Sequence, residues 1–164
     1  MDTFRHELAI YLNDHLAGAT GGVELARRIA HEHDDADLTG VARDIEQDRE
    51  SLLRIMDALG VQQDHLKVAG GWLGEKLGRL KLNGRLFSRS PLSYVIELEA
   101  MRLGVDGKAA GWQTLRRLAD HDDRLDRTQL DELLARAQSQ KDTLENARVR
   151  AVEAVFVEPG GSVS

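Results

Sequence analysis

The residues with the clearest chemical potential lie in the stretch DIEQDRESLL, residues 44 to 53, where Arg49 follows Glu46 by three positions. Residues three apart on an α-helix share one face, so these two side chains can serve a single site. A carboxylate can bind a metal ion, whereas a guanidinium is a protonated donor with no free lone pair. The spacing therefore leaves two alternatives for Glu46, which are a metal ligand or a partner of Arg49.

Other candidate ligands are scattered along the chain. Imidazoles and carboxylates gather in HEHDD, residues 31 to 35, and in DHDD, residues 120 to 123. A surface zinc or nickel contact is one interpretation of these clusters, which we expect at the same end of the molecule, and solvated helix connections are the commoner one. A lone histidine near an apolar stripe, such as His15, is more often a hydrogen-bonded core residue than a ligand. No nucleophile and base pair, phosphate loop or dinucleotide fingerprint is present, so no catalytic residue is predicted.

The composition favours a single all-α domain. The 164 residues are 41% hydrophobic and only 4% aromatic, with two prolines. A net charge of −6 gives the chain as a whole no reason to bind nucleic acid or an anionic membrane. The absence of cysteine excludes disulfides and thiolate metal sites. No segment has the pattern of a signal peptide or of a membrane span, so we expect a cytoplasmic protein.

Apolar residues at steps of three and four predict four long helices, at residues 3–33, 36–60, 91–121 and 126–157. Gly60 stands where a left-handed cap commonly ends a helix, and Ser90 with Pro91 matches a helix start. Short turns make two antiparallel hairpins, which residues 61–90 join as a long crossover. Residues 1–157 would form one domain and 158–164 a disordered tail. The glycines Gly18, Gly21 and Gly22 would either admit close packing or kink the first helix.

The crossover is basic, since residues 61–90 hold six Lys or Arg against two acids, a net +4. Its glycines at 70, 74 and 78 would share one side of a short basic helix. The positive charge either neutralises the acidic bundle beneath it or contacts an acidic partner. The residues predicted for such a partner surface are Lys76, Arg79, Lys81 and Arg85.

The helix order, helix lengths and crossover together resemble the ferritin-like superfamily over nearly the whole chain. YLNDHLAGA looks like the opening helix of that family, and IEQDRESLLRIMDALG looks like its second. The resemblance implies a ferritin-like antiparallel four-helix bundle made of two helical hairpins. In metal-binding members, helices one and three each give a carboxylate, and helices two and four each give a Glu-x-x-His pair.

This chain departs from that ligand pattern on every helix. His15 is the nearest candidate on the first helix, Arg49 replaces the imidazole on the second, and Gly104 takes the ligand position on the third. The fourth helix offers Ala137 with Gln140, or Gln138 with Lys141. The resemblance therefore implies a bundle whose conventional di-iron site is lost.

The two cations at former ligand positions have two interpretations. In the first, Arg49 and Lys141 replace the positive charge of the metal and form a core polar network with Glu46, Glu145 or Glu99. In the second, Arg49, Lys141 and Asp48 lie at the edges of the apolar stripes and reach solvent.

Three hypotheses for function follow. The first is a structural or protein-interaction module with no cofactor, a homodimer with an unidentified protein partner. The second is a divergent iron or manganese protein, or an oxidoreductase, with a rearranged site of His15, Glu46 and Glu99. The third is a binding module that uses the basic crossover. The missing ligands favour the first and argue against an enzyme.

Overall fold

The computed structural model of the chain describes residues 2–65 and 90–157, and within these residues it is all helical. Helix α1 spans Asp2–His33, α2 spans Ala36–Leu59, α3 spans Pro91–Leu118 and α4 spans Arg127–Val152. The predicted all-α architecture with four helices is confirmed. The predicted crossover helix, with its partner surface of Lys76, Arg79, Lys81 and Arg85, and the predicted tail lie outside the described residues.

Local side-chain chemistry sets where the helices begin and end. Asp35, Ser90 and Asp126 each accept hydrogen bonds from backbone N–H groups in the first turn of α2, α3 and α4. Pro91 follows Ser90 at the first position of α3, where its fixed φ suits a helix. Gly60 ends α2 at φ 70°, a conformation that glycine adopts without strain. The predicted roles of Gly60, Ser90 and Pro91 are confirmed.

The end of the fourth helix differs from the prediction. The α-helix stops at Val152, and Glu153–Val157 continue it as a wider π-helical turn. Ala151 is the last buried residue of α4, and none of the five residues of the π-helical turn is buried. Val155 is partly buried and still packs against the core, whereas Phe156 and Val157 are exposed. Helix α1, in contrast, is continuous through Gly18, Gly21 and Gly22.

Contacts between helices fix their directions. The Tyr11 hydroxyl lies 3.0 Å from the Thr114 hydroxyl, and Arg28 donates to Glu97 at 2.8 Å, so α1 and α3 are antiparallel. Arg150 reaches Asp35 at one end of α2, and Arg124 donates to the Leu59 carbonyl at the other, so α2 and α4 are antiparallel. The chain therefore leaves α2 at one end of the bundle and enters α3 at the opposite end.

Apolar stripes of all four helices face a common core, in which Leu16, Leu98 and Leu130 are completely buried. Full burial of one such side chain stabilises the fold by about 1.5–3 kcal/mol. Asn13 adds a polar tie, because its amide donates to the Gln62 carbonyl at 3.0 Å and accepts from the Asp64 N–H at 2.7 Å. Among the described residues, no helix combines the length and the apolar character needed to cross a bilayer.

Candidate functional site

One carboxylate, that of Asp48 on α2, is fully buried among the described residues. Its Oδ2 accepts hydrogen bonds from Lys108 Nζ of α3 at 2.5 Å and from Gln140 Nε2 of α4 at 2.9 Å. Its Oδ1 accepts from an Arg136 guanidinium nitrogen of α4 at 3.0 Å. We call these four residues the Asp48 cluster. It lies near the middle of the helices and joins three of them.

All hydrogen-bonding atoms of the Asp48 and Gln140 side chains have partners, but the charges of the Asp48 cluster do not cancel. Lys108 also donates to Gln140 Oε1 at 2.5 Å, so the amide is used at both ends. Two cations face one carboxylate, which leaves a formal charge of +1. Arg136 keeps a third of its side chain exposed and so retains some hydration. Burial lowers the pKa of Lys108, and the neighbouring Asp48 opposes that shift.

The sequence holds a signal for this cluster that reasoning from the family pattern missed. Three of its members occupy positions in the apolar stripes where the spacing of three and four requires a hydrophobic residue. Asp48 falls between Ile45 and Leu52, Lys108 between Val105 and Trp112, and Gln140 between Ala137 and Leu144. The interpretation that placed Asp48 at a stripe edge in contact with solvent is wrong, because its side chain is fully buried. A polar residue inside a stripe predicts a buried, paired group.

The structure does not bring together the four residues of the predicted core network. Each is partly exposed and has a different partner: Glu46 with Arg27, Arg49 with Thr20 and Glu50, Lys141 with Asp106, and Glu145 with Arg102 and Arg148. The physical reason is the helical period, since residues two apart point about 200° away from each other. With Asp48 turned into the core, Glu46 must turn outward. Arg49 makes no ion pair with Glu46.

The predicted rearranged metal set is also dispersed. His15 packs between α1 and α3, Glu46 pairs with Arg27 on the surface, and Glu99 is an exposed carboxylate 3.7 Å from Arg148. A guanidinium beside each carboxylate already supplies a positive partner. These three residues form no common coordination sphere in the part of the chain that the structure describes.

A different group of possible ligands lies at the junction of α1 and α3. Oxygen or nitrogen atoms of Glu32, His33 and Glu97 lie within 4.8 Å of one another. The Glu97 carboxylate is already held by Arg28, and the His33 ring stacks on Tyr94 with centroids 3.6 Å apart. A metal ion would have to compete with Arg28 for the Glu97 carboxylate. The group therefore resembles a packed helix end more than a metal centre.

The two imidazole and carboxylate clusters lie at opposite ends of the bundle. HEHDD forms the turn between α1 and α2, whereas DHDD is next to Arg124, which bonds the last residue of α2. The 24 residues of α2 separate them by roughly 36 Å at 1.5 Å per residue. The prediction that they lie at the same end is wrong, because the two hairpins close at opposite ends.

Beside the Asp48 cluster, a cavity of about 210 Å³ opens between α1 and α3. We call it the α1–α3 cavity. Its walls combine apolar side chains, a few polar groups and several glycines. The apolar part consists of Leu12, Leu52, Trp112 and Leu115, and the polar part includes His15, Arg49, Asp48 and Lys108. Leu103, 59% exposed, and the exposed Gly107 also line the cavity, so it reaches the surface.

Glycines make the space of the α1–α3 cavity. A Cβ atom built on Gly18, Gly104 or Gly107 would meet nothing within 4 Å among residues 2–65 and 90–157, apart from the backbone of its own helix. These glycines therefore do not serve close packing of helix backbones, although each costs a helix about 1 kcal/mol relative to alanine. Gly111 is different, since a Cβ there would lie 3.0 Å from His15 Cε1. Of the glycines that line the cavity, Gly111 is the one at which a neighbouring side chain, that of His15, leaves too little room for a Cβ.

Trp112 contributes an unpaired donor to this region. The residue is 3% exposed, and its indole N–H has no hydrogen-bond partner among the described residues. A buried donor left unpaired costs about 1–3 kcal/mol, so it calls for an explanation. His15, on the facing helix, is also without a hydrogen bond within residues 2–65 and 90–157. Burial lowers the pKa of His15, while the nearby Asp14 carboxylate opposes the shift.

Compared with known proteins, the chain matches no family model, no curated protein and no solved structure. The two central features share a wall, because Asp48 and Lys108 both line the α1–α3 cavity. One feature is a closed set of ion pairs, and the other is an open space lined mainly by apolar side chains and glycines.

Proposed function

We propose that this chain is a ferritin-like four-helix bundle without a di-iron site, which acts as a structural or protein-interaction module. The Asp48 cluster carries the proposal, because Lys108 and the partly exposed Arg136 are the positive partners of the carboxylate inside the bundle, a role that metal ions have in the metal-binding members of the family. The helix directions support the ferritin-like part, since α1 and α4 run one way while α2 and α3 run the other.

The donor set of the cluster does not fit a di-iron centre. Such a centre requires several carboxylates and imidazoles that converge on two ions. Here one carboxylate is present, and three protein donors already occupy its two oxygens. A divalent cation at Asp48 would also be repelled by Lys108 and Arg136 at close range. The interior charge supplied by metal elsewhere is supplied here by side chains.

Elemental analysis tests this proposal. The untagged protein is expressed with supplemented iron and manganese, desalted extensively and assayed for metal per chain. We expect far less than one equivalent of either metal. One or two equivalents would contradict the proposal, and two variants would then locate the metal. Loss in Glu46→Gln would indicate the rearranged site, and loss in His33→Ala would indicate the group at Glu32 and Glu97.

A homodimer is part of the same proposal. Phe156 and Val157 in the π-helical turn are 62% and 70% exposed, which leaves apolar surface for a second copy. Light scattering on the eluted protein measures the mass directly. Twice the chain mass of 18.2 kDa is expected, with return to the monomer mass in Phe156→Ser combined with Val157→Ser. A monomer at micromolar concentration would contradict the dimer.

A further inference from the structure

The α1–α3 cavity has the size of a small-molecule site. Its volume of about 210 Å³ exceeds the roughly 150 Å³ of an engineered apolar cavity that binds benzene. It meets the surface at Leu103 and Gly107, which are both exposed. A molecule of one aromatic ring therefore fits the space and can reach it from solvent.

The wall of the cavity is mainly apolar. Its large apolar side chains come from three helices and are Leu12 of α1, Leu52 of α2, and Leu103, Trp112 and Leu115 of α3. All of them except Leu103 are buried, so the bundle itself holds them in place. A ligand that meets carbon on several sides gains most when it is itself apolar, because both surfaces then leave water.

The charged side chains of the wall do not select an ion. Two carboxylates and two cationic side chains line the cavity, and their formal charges cancel. They are Asp14, Asp48, Arg49 and Lys108. Lys108 already pairs with Asp48, and Arg49 pairs with Glu50. An ion that entered would lose hydration and would have to compete with these existing pairs.

We propose that the α1–α3 cavity binds a small uncharged apolar molecule, about one aromatic ring in size. The ligand lies among the leucines and occupies the space that Gly18, Gly104 and Gly107 leave open. The inference goes beyond the metal-free bundle, which is tested by metal content and not by this ligand.

Toluene is the probe for this site. Ligand-observed NMR on the full, untagged chain follows its binding as its concentration rises to the solubility limit. We expect saturable binding with a dissociation constant on the order of 1 mM or below. Toluene should also raise the thermal midpoint, because a ligand of the folded state stabilises that state. Absence of saturable binding would overturn the proposal.

The chemical class is tested with two further probes of similar size. Benzoate and benzylamine share the ring of toluene but carry an anion and a cation. We expect toluene to bind at least tenfold more tightly than either of them. If benzoate or benzylamine bound as tightly as toluene, the cavity would recognise a charge, and the assignment to an uncharged ligand would be wrong.

Cavity-filling substitutions locate the binding. Gly18→Leu on α1 and Gly107→Leu on α3 each add an isobutyl group at a lining position where a Cβ has open space among the described residues. Gly40→Leu on α2 is the matched control, because its Cβ position is also open and it does not line the cavity. Leucine favours a helix more than glycine does, so all three variants should keep their helical circular dichroism.

We expect each of the two cavity variants to lower toluene affinity at least tenfold, whereas Gly40→Leu should keep the affinity of the parent protein. Toluene affinities in both cavity variants equal to that of Gly40→Leu would place the binding elsewhere and overturn the proposal.

The exposed apolar side chains of the π-helical turn are a competing place for toluene. Phe156→Ser combined with Val157→Ser removes them, and neither residue lines the cavity. Toluene affinity should stay within twofold of the parent value. Loss of saturable binding in this variant would assign the ligand to the π-helical turn, which contradicts a site in the cavity.

Discussion

The Asp48 cluster and the α1–α3 cavity lie side by side in the bundle and follow opposite rules. In the Asp48 cluster every polar atom of the buried carboxylate and amide has a partner, and three helices supply them. In the α1–α3 cavity, Trp112 is unpaired within the described residues and glycines leave space unfilled. The hydrogen bonds of the first region are complete, whereas the second region keeps an unpaired donor and unfilled space.

This difference separates the structural part of the interior from the part open to a ligand. A completed ion cluster is sensitive to any change, because loss of one partner leaves a buried charge unpaired. The cavity tolerates additions at Gly18, Gly104 and Gly107, because a Cβ there meets no atom of the described residues. Substitutions in the two regions should therefore change the free energy of unfolding in opposite directions.

The largest effect is expected from Asp48→Asn. This substitution keeps the side-chain shape but leaves Lys108 and Arg136 without their anion, so the free energy of unfolding should fall by about 3–5 kcal/mol. Urea denaturation measures the change. Glu46→Gln is the matched control, because it breaks only the surface pair with Arg27 and should cost less than about 1 kcal/mol. Similar losses in both variants would remove the distinction between the cluster and the surface pairs.

An intermediate effect of opposite sign is expected at the cavity. Gly107→Ala should raise the free energy of unfolding by about 1 kcal/mol, because alanine favours a helix and its methyl group meets open space. Gly111→Ala is the matched comparison on the same helix, and His15 must move to admit its Cβ. We expect it to be less stable than Gly107→Ala by about 1 kcal/mol. Equal gains at the two positions would show that the His15 contact does not restrict packing.

The smallest effect concerns pH at the edge of the cavity. Burial lowers the pKa of His15 below its ordinary value of 6.5, with Asp14 opposing, so below pH 6.5 the unfolded chain binds more protons than the folded one. The free energy of unfolding should fall as the pH decreases below 6.5. Comparison of denaturation curves at several pH values should show a weaker decline in His15→Gln. His6→Gln, an exposed position on the same helix, should keep the decline of the parent protein.

The helices could be predicted from the sequence because their signals are local. Apolar steps of three and four, Ser90 with Pro91 and the terminal Gly60 each act over a few residues. The predicted helical segment reaches Val157 as expected, but its last five residues are π-helical although Val155 continues the apolar spacing and packs against the core. The apolar pattern of one helix carries no information about where the neighbouring helices end.

The ion cluster could not be predicted as a unit, because its partners are distant in sequence. Asp48 is 60 residues from Lys108 and 92 from Gln140. Periodicity places each residue on a face of its own helix, but it does not give the axial offset between helices that decides which polar groups meet. Reasoning from the ferritin-like ligand pattern directed attention to Glu46 and Arg49, which the helix turns toward the surface.

The long sequence separation of the Asp48 contacts has a consequence for how the chain folds. Each hairpin can form from contacts close in sequence, and Asn13 already ties the residues that leave α2 back to α1. The cluster, however, becomes satisfied only when the two hairpins have docked with the correct offset. If the two hairpins docked one helical turn out of place, Lys108 and Arg136 would face apolar side chains instead of Asp48. We expect hairpins docked in this way to dissociate. We therefore expect the buried charges to disfavour bundles in which the two hairpins are docked with the wrong offset.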